Sequence, residues 1–488
     1  MTPDYTGLVR ALLPEAALVA GALVVLGLDL AFFRRRAAAF RLRAAIAVAA
    51  LATVAAIGLA LGGGARGEVF GGVLIFDSLA VAARLGVLVL VLLVLGISTG
   101  APTPRHPAEY AAIILFAAVG FTLMAAAQQL LLAFLALELA SLSLYVLAGF
   151  DKSRPESVEA ALKYFLFGGM SAAFLLFGFS LIYGLAGSIE LPRIAESLAQ
   201  QGLSPLLAVA LVMVLVAFGF KAAAAPFHLW APDAYEGAPT PSAALIASAS
   251  KLAGFVLFAR LLWPGLHAVA GNVAAAPVGG GWLPVVAVLS GASLLLGNLG
   301  ALAQTNVRRL LAYSAIAHAG TLLLGVIAFG AAGPAPLFYY AATYGIATAG
   351  AFGVIAVLER AGGCEKITDL AGLHRRSPLL AGCLLVFILS LAGIPPLAGF
   401  FGKFAVFAAA LQLGGAGGPA GWLTFAAIFL SAVALYYYLV VLKQALVAVP
   451  AEQAGPVAVP GAAALTLLAA AALIVFFGLC PSLLLDFF

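Results

Sequence analysis

Long, uninterrupted apolar runs separated by short polar stretches dominate the chain. A helix needs about 20 apolar residues to cross about 30 Å of hydrocarbon. Read in that window, the sequence predicts fourteen spans, at roughly 12–33, 44–62, 79–99, 108–126, 128–150, 161–187, 204–235, 240–263, 282–303, 309–331, 336–359, 378–410, 420–446 and 461–480. The runs lack the strict alternation of a membrane β-strand, which excludes a barrel. The first run carries no short apolar region with a cleavage site and reads as a retained helix rather than a signal peptide. The predicted fold is an all-α polytopic membrane protein of about fourteen transmembrane helices.

Composition agrees. Of 488 residues, 65% are apolar and 9% charged, against about 25% charged in an average soluble domain. So large an apolar excess needs the bilayer as solvent, which excludes a cytoplasmic enzyme, a nucleic-acid binder and a disordered chain. The net charge of +5 records orientation instead. The loops on the side of the termini hold Arg10, Arg66, Arg193 and Arg260. Those on the other side hold Arg34, Arg35, Arg36, Arg41, Arg43, Arg105, Lys152, Arg154, Arg308, Arg309, Arg360, Lys366, Arg375, Arg376 and Lys443. The basic excess belongs in the cytoplasm, so both termini are expected on the non-cytoplasmic side of a bacterial inner membrane.

Little points to a cofactor. Cys364, Cys383 and Cys480 are scattered and form no CxxC pair. His106, His228, His267, His318 and His374 form no closely spaced metal motif. No Walker A motif or strand-linked GxGxxG appears, so the energy must come from a gradient or a partner.

The informative residues are charges inside apolar runs: Arg84, Glu138, Lys163, Lys221, Lys251 and Lys403. A charge near the bilayer centre costs at least about 2.5–3.5 kcal/mol, and such residues mark ion or proton paths. The alternative is a lysine that snorkels to the interface, or an ion pair that only orients helices. For Lys163 and Arg84, near span ends, both readings stay open. A buried lysine can release a proton near neutral pH where arginine cannot, and a buried glutamate tends the other way. Placed within reach, the two titrate together. His228 and His318 add groups that titrate near neutrality. Tyr145, Tyr164, Tyr313, Tyr344, Ser141, Ser143, Ser250 and Thr348 are candidates to support water chains around them.

Two spans are interrupted. Pro226 lies mid-span five residues after Lys221, and Pro395 and Pro396 lie between Gly393 and Gly399 ahead of Lys403. Proline removes a backbone donor, and backbone freed at membrane depth is tolerated only where protein or water satisfies it. Paired broken helices point to a transport site. Glu138 precedes Lys221 by 83 residues and His318 precedes Lys403 by 85, which suggests an internal repeat. Helices 4–8 and 9–13 would then form two five-helix units. Five is odd, so the second enters inverted. This divides the chain into an N-terminal three-helix segment (1–104), two half-channels (105–265 and 280–446) and a C-terminal helix (447–488).

The stretch FKAAAAPFHLWAPDAYEGAPTPSAALIASASK resembles the broken seventh and the eighth helices of antiporter-like membrane subunits of respiratory complex I. SLAGIPPLAGFFGKF is similar to that family's broken twelfth helix, and NVRRLLAYSAIAHAG to its tenth. Glu138 matches the fifth-helix glutamate. YEGAPTP and SASK are most similar to the subunit N branch, and Lys403 reads against the sibling with glutamate there. The chain's end soon after the last span reads against the longest sibling, which adds a lateral helix.

The resemblance implies proton translocation within NADH:quinone oxidoreductase. It implies Glu138 with Lys221 as a coupled pair, Lys251 as central relay and Lys403 as exit-side site, with Lys163, His228 and His318 as further members. It also implies no cofactor on this chain, with NAD, FMN, iron–sulfur clusters and quinone in partner subunits. Expected partners are a neighbouring antiporter-like subunit, small membrane subunits and the bilayer. The rivals are a cation/proton antiporter subunit of the same fold, a haem or quinone membrane enzyme and a purely structural membrane subunit.

Overall fold

The computed structural model describes residues 5–62, 66–273, 280–413, 415, 417–450 and 455–488. Among them, thirteen helices are long and apolar enough to cross a bilayer. They are α1 (Leu13–Phe33), α2 (Ala38–Leu61), α3 (Ser78–Ser98), α4 (Pro107–Ala126), α5 (Leu130–Ala148), α6 (Pro155–Ala186), α7 (Pro205–Ala222), α9 (Thr240–Gly265), α10 (Leu283–Leu302), α11 (Val307–Ala332), α12 (Ala335–Gly362), α15 (Pro419–Leu446) and α16 (Gly461–Leu479). Three shorter helices complete the numbering: α8 (Trp230–Gly237), α13 (Pro378–Ala392) and α14 (Ala398–Gln412). The protein is therefore a multi-span helical membrane protein. Its one sheet among the described residues is a hairpin of β1 (Gly67–Val69) and β2 (Leu74–Phe76), pairing Gly67 with Phe76.

Local chemistry sets the helix ends. Proline opens α4, α6, α7, α13 and α15, where its missing N–H costs nothing. Asp77 caps α3 by accepting from Ala80 N at 2.8 Å, Ser204 caps α7 and Asn306 caps α11. Between α6 and α7, Leu191–Gln201 buries Leu191, Ile194 and Leu198 at helical spacing, the pattern of a helix lying along a surface.

Packing ranks the spans. The apolar stretches of α9 and α12 are wholly buried in protein, whereas α1, α2, α6 and α16 are buried over a third or less. Those outer helices present Leu23, Leu51, Phe165, Leu166 and Leu465, which only lipid can solvate. Small residues let inner helices touch. A Cβ on Gly120 of α4 would lie 2.6 Å from Ala140 N of α5, and one on Gly297 of α10 would lie 2.4 Å from Ala317 N of α11. These two helix pairs are the most extensively packed in the molecule.

Both predicted interruptions are present. The seventh span divides into α7 and α8 across residues 223–229, with Ala223 left-handed at φ 55°. The twelfth divides into α13 and α14 across residues 393–397, with Gly393 at φ +87°. Each break contains a cis prolyl bond, Ala225–Pro226 and Pro395–Pro396. A third irregularity was not anticipated: α9 bends at Ser248, three residues before Lys251.

Candidate functional site

Lys221 occupies the last turn of α7, where the break leaves helix carbonyls without intrahelical partners. A cation is favoured at that end by the helix dipole. The side chain is 7% exposed and its ammonium donates to Ser141 Oγ of α5 at 3.1 Å. Glu138, one turn earlier on α5, makes no ion pair within 4.0 Å of Lys221 among the described residues, although the two charges act on each other through space. Among the described residues the buried Oε1 of Glu138 has no hydrogen-bond partner. Buried polar atoms are nearly always satisfied by protein or water, so this carboxylate calls for hydration or a moving partner.

From Lys221 a row of polar groups runs through the interior. Phe218, Lys221, Lys251, Gly254, Phe255 and Phe258 line a gap between α7 and α9 that is too tight to hold a water, with the first two amines on its walls. Lys251, 3% exposed, donates to the Ala315 carbonyl of α11 at 2.5 Å and lies 5.8 Å over the Tyr344 ring. That ring packs 4.8 Å from His318. His318 is held from both sides, with Tyr340 OH 2.5 Å from Nδ1 and Tyr438 OH 3.0 Å from Nε2. A second cavity, lined by Asn298, His318, Thr321, Lys403, Ser431 and Tyr437 among others, joins His318 to Lys403.

Lys403 stands six residues after Leu397, where the break around Pro395–Pro396 ends, yet its amine reaches back to donate to the Ala392 carbonyl at 3.0 Å. Ala392 is the last residue of α13. The two interruptions thus place their lysines differently in sequence, one before and one after, but set both amines at the C-terminal end of the first half-helix. None of Lys221, Lys251 and Lys403 makes an ion pair with a carboxylate among the described residues. A buried ammonium held only by neutral oxygens costs of order several kcal/mol, which is the condition for giving up its proton.

Other predicted site residues lie apart from this row. Lys163 is 39% exposed and is shared between Glu159 and Asp233, each at 2.6 Å. It belongs to a charged cluster in which Arg309 reaches Asp233 and Glu236 at 2.7 Å and Asn306 donates to Glu236 at 2.8 Å. Beside it Arg308 pairs with Glu359 at 2.9 Å, and Glu359 accepts from Thr240 Oγ1 at 2.5 Å. His228 is buried in the α7–α8 break, and its Nδ1 has no protein partner. Arg84 forms a buried ion pair with Glu15 at 3.0 Å and covers Phe76 at 4.3 Å, so it orients helices.

The sequence reading missed Tyr340, Tyr438, Asn298 and Trp230. Tyr340 had a signal, standing one turn before Tyr344 on the same face. Tyr438 lies in the run YYY at 436–438, where one tyrosine faces lipid and two face inward; composition alone does not separate them. Among the described residues, no group of three His, Cys, Asp or Glu is placed to hold a metal ion.

The family described as "NADH:quinone oxidoreductase/Mrp antiporter, TM" matches residues 127–434. NADH-quinone oxidoreductase subunit N 2 of Acidobacterium capsulatum is 49% identical over 99% of this chain and 98% of its own length. NADH-quinone oxidoreductase subunit N of Chloroflexus aggregans is 37% identical over 92% of this chain and 90% of its own. A chain of respiratory complex I from Thermus thermophilus with bound aureothin superposes with a TM-score of 0.80 at 35% identity, covering 97% of this chain and 99% of that one. A chain of the Mrp complex from Dietzia shares the fold, with a TM-score of 0.79 at 22% identity over 100% of this chain and 96% of that one. By this match and these relatives, the chain belongs to the NADH:quinone oxidoreductase/Mrp antiporter family of membrane subunits.

Proposed function

We propose that the chain is a proton-translocating subunit of a bacterial NADH:quinone oxidoreductase, filling the place of subunit N. The observation that carries this is the interior row Lys221, Lys251, Tyr344, His318, Lys403, with Lys221 and Lys251 lining one tight gap, His318 and Lys403 lining one small cavity, and none of the three lysines in a carboxylate ion pair among the described residues. A neighbouring subunit shifts charge or conformation near Glu138 and changes its hold on Lys221. Lys221 passes a proton to neutral Lys251. Lys251 passes it past Tyr344 to His318, whose ring takes a proton on one nitrogen and yields one from the other. Lys403 receives it and releases it on the exit side. Lys163 and His228 belong to this reading as groups that set the field and hydration at the α7–α8 break.

The chain supplies no redox step. NAD, FMN, iron–sulfur clusters and quinone belong to partner subunits, and quinone reduction there drives the transfers. α4–α9 and α10–α15 act as two inverted five-helix half-channels. Their most tightly packed pairs, α4 with α5 and α10 with α11, hold equivalent places. Both termini lie on the non-cytoplasmic side of the inner membrane, and other antiporter-like and small membrane subunits flank the chain.

The test is NADH-driven proton pumping in sealed vesicles carrying the assembled complex. Glu138→Ala and Lys403→Ala are expected to cut pumping strongly. Normal pumping in both, with assembly intact, removes the relay.

A further inference from the structure

The seven residues between α7 and α8 are bridged by one side chain. Trp230, the first residue of α8, donates its indole Nε1–H to the carbonyl of Phe220 at 3.0 Å. Phe220 immediately precedes Lys221 in the last turn of α7, and its carbonyl accepts twice, from this indole and from the Ala223 N–H at 2.9 Å. The indole also stacks on Tyr164 of α6, with centroids 4.2 Å apart and planes 1° from parallel, and packs 5.1 Å from Phe220. Each end of this contact is tied to the charged cluster. Tyr164 neighbours Lys163 on α6, and one turn after Trp230 lies Asp233, which binds both Lys163 and Arg309. The cluster is partly open to solvent, with Asp233 at 27% and Arg309 at 30% exposure, whereas Trp230 is buried.

From this we infer that Trp230 is a positioning residue for Lys221, transmitting the state of the Lys163–Asp233–Arg309 cluster to the buried amine through its stack on Tyr164 and its hydrogen bond to the Phe220 carbonyl. The inference rests on Lys221 being a proton carrier. With the indole in place, the Phe220 carbonyl is occupied and the amine turns to Ser141. When the cluster loosens, α8 moves with Trp230, the carbonyl keeps only the Ala223 N–H, and its second lone pair turns to the ammonium form and holds it more tightly. Charge at the solvent-facing end of α6, α8 and α11 thereby governs when Lys221 lets go of its proton.

The experiment compares proton pumping against pH in vesicles bearing the assembled complex. Trp230→Phe keeps an aromatic ring in the stack and removes the N–H, together with part of the indole's bulk. The charged and titratable groups around Lys221 are left in place: Glu138 with Tyr145 on α5, Lys163 and Tyr164 on α6, Asp233 and Tyr235 on α8, and Lys251 on α9. The expected result is a loss of about fivefold in pumping at neutral pH, the scale of one hydrogen bond, with the alkaline fall-off moved upward by about half a pH unit or more. Asp233→Asn is expected to move the profile in the same direction, Asp233→Glu to restore it, and the double variant to add little, as for residues acting as one unit. Lys221→Ala is run alongside. If it abolishes pumping while the Trp230→Phe and Asp233→Asn profiles superpose on the native one, the inference is overturned and the relay stands. If Lys221→Ala pumps normally, the relay itself fails.

Discussion

His318 has the surroundings that the proposed relay asks of a single residue. Its two ring nitrogens face two tyrosine hydroxyls, Tyr340 at 2.5 Å and Tyr438 at 3.0 Å. Each hydroxyl can donate or accept, so the ring can take a proton from one side and give one to the other without turning. Tyr438 also meets Ser314 at 2.5 Å, which extends the hydroxyl chain. Tyr438→Phe removes the link to Nε2 and keeps the ring's bulk; pumping measured with a pH-sensitive dye is expected to fall about a hundredfold or more, the usual weight of one proton-transfer group. Unchanged pumping would place Tyr438 outside the path. Lys251 makes a complementary case. Its amine has a carbonyl and an aromatic face but no acid, an environment that tolerates a neutral amine. Lys251→Arg keeps positive charge but cannot release it, and is expected to pump no better than Lys251→Ala. Full activity in the arginine variant would mean that the site needs charge rather than proton exchange.

At the scale of elements, the breaks do the positioning. Gly393 adopts φ +87°, and a Cβ there would stand 3.0 Å from Lys403 Cδ and 3.3 Å from Nζ. Gly393→Ala therefore combines a left-handed strain of roughly 1–2 kcal/mol with pressure on the amine. Assembled complex bearing it is expected to lose pumping with modest loss of thermal stability; a variant that pumps normally would show that the amine's place beside Ala392 is not needed. The Glu15–Arg84 pair joining α1 to α3 gives the opposite expectation. Removing one partner of a buried pair costs about 3–5 kcal/mol, so Arg84→Leu should lower the yield and melting temperature of the complex while the complex that does assemble pumps normally. The interruptions were legible in sequence, because proline at bilayer depth has few other meanings. The bend at Ser248 was not, because serine is an ordinary helix residue in a membrane; here its Oγ donates to the Ala244 carbonyl one turn back at 2.6 Å, a bond that bends helices.

Across the whole molecule, the spans were legible for a simple reason: an apolar run of bilayer length has little other use. The ranking of spans by depth was readable too, though it went unread. In lipid the outside is as apolar as any core, so interior helices are those that spend apolarity on polar groups. The two wholly buried spans, α9 and α12, are the least apolar of the thirteen. Pairings were out of reach. Glu15 and Arg84 stand 69 residues apart and Lys163 and Asp233 stand 70 apart, and only the fold shows that these charges are paired while Lys221, Lys251 and Lys403 have no partner of opposite charge among the described residues. On that difference rests the proposal that the unpaired amines exchange protons. The most direct measurement is the infrared difference spectrum of the assembled complex during NADH turnover, with lysine side chains isotopically labelled. Bands of neutral and charged amine that interconvert with turnover, and that vanish stepwise in the Lys221→Ala, Lys251→Ala and Lys403→Ala variants, are the predicted result. Amine bands that stay fixed through turnover while pumping proceeds would contradict it.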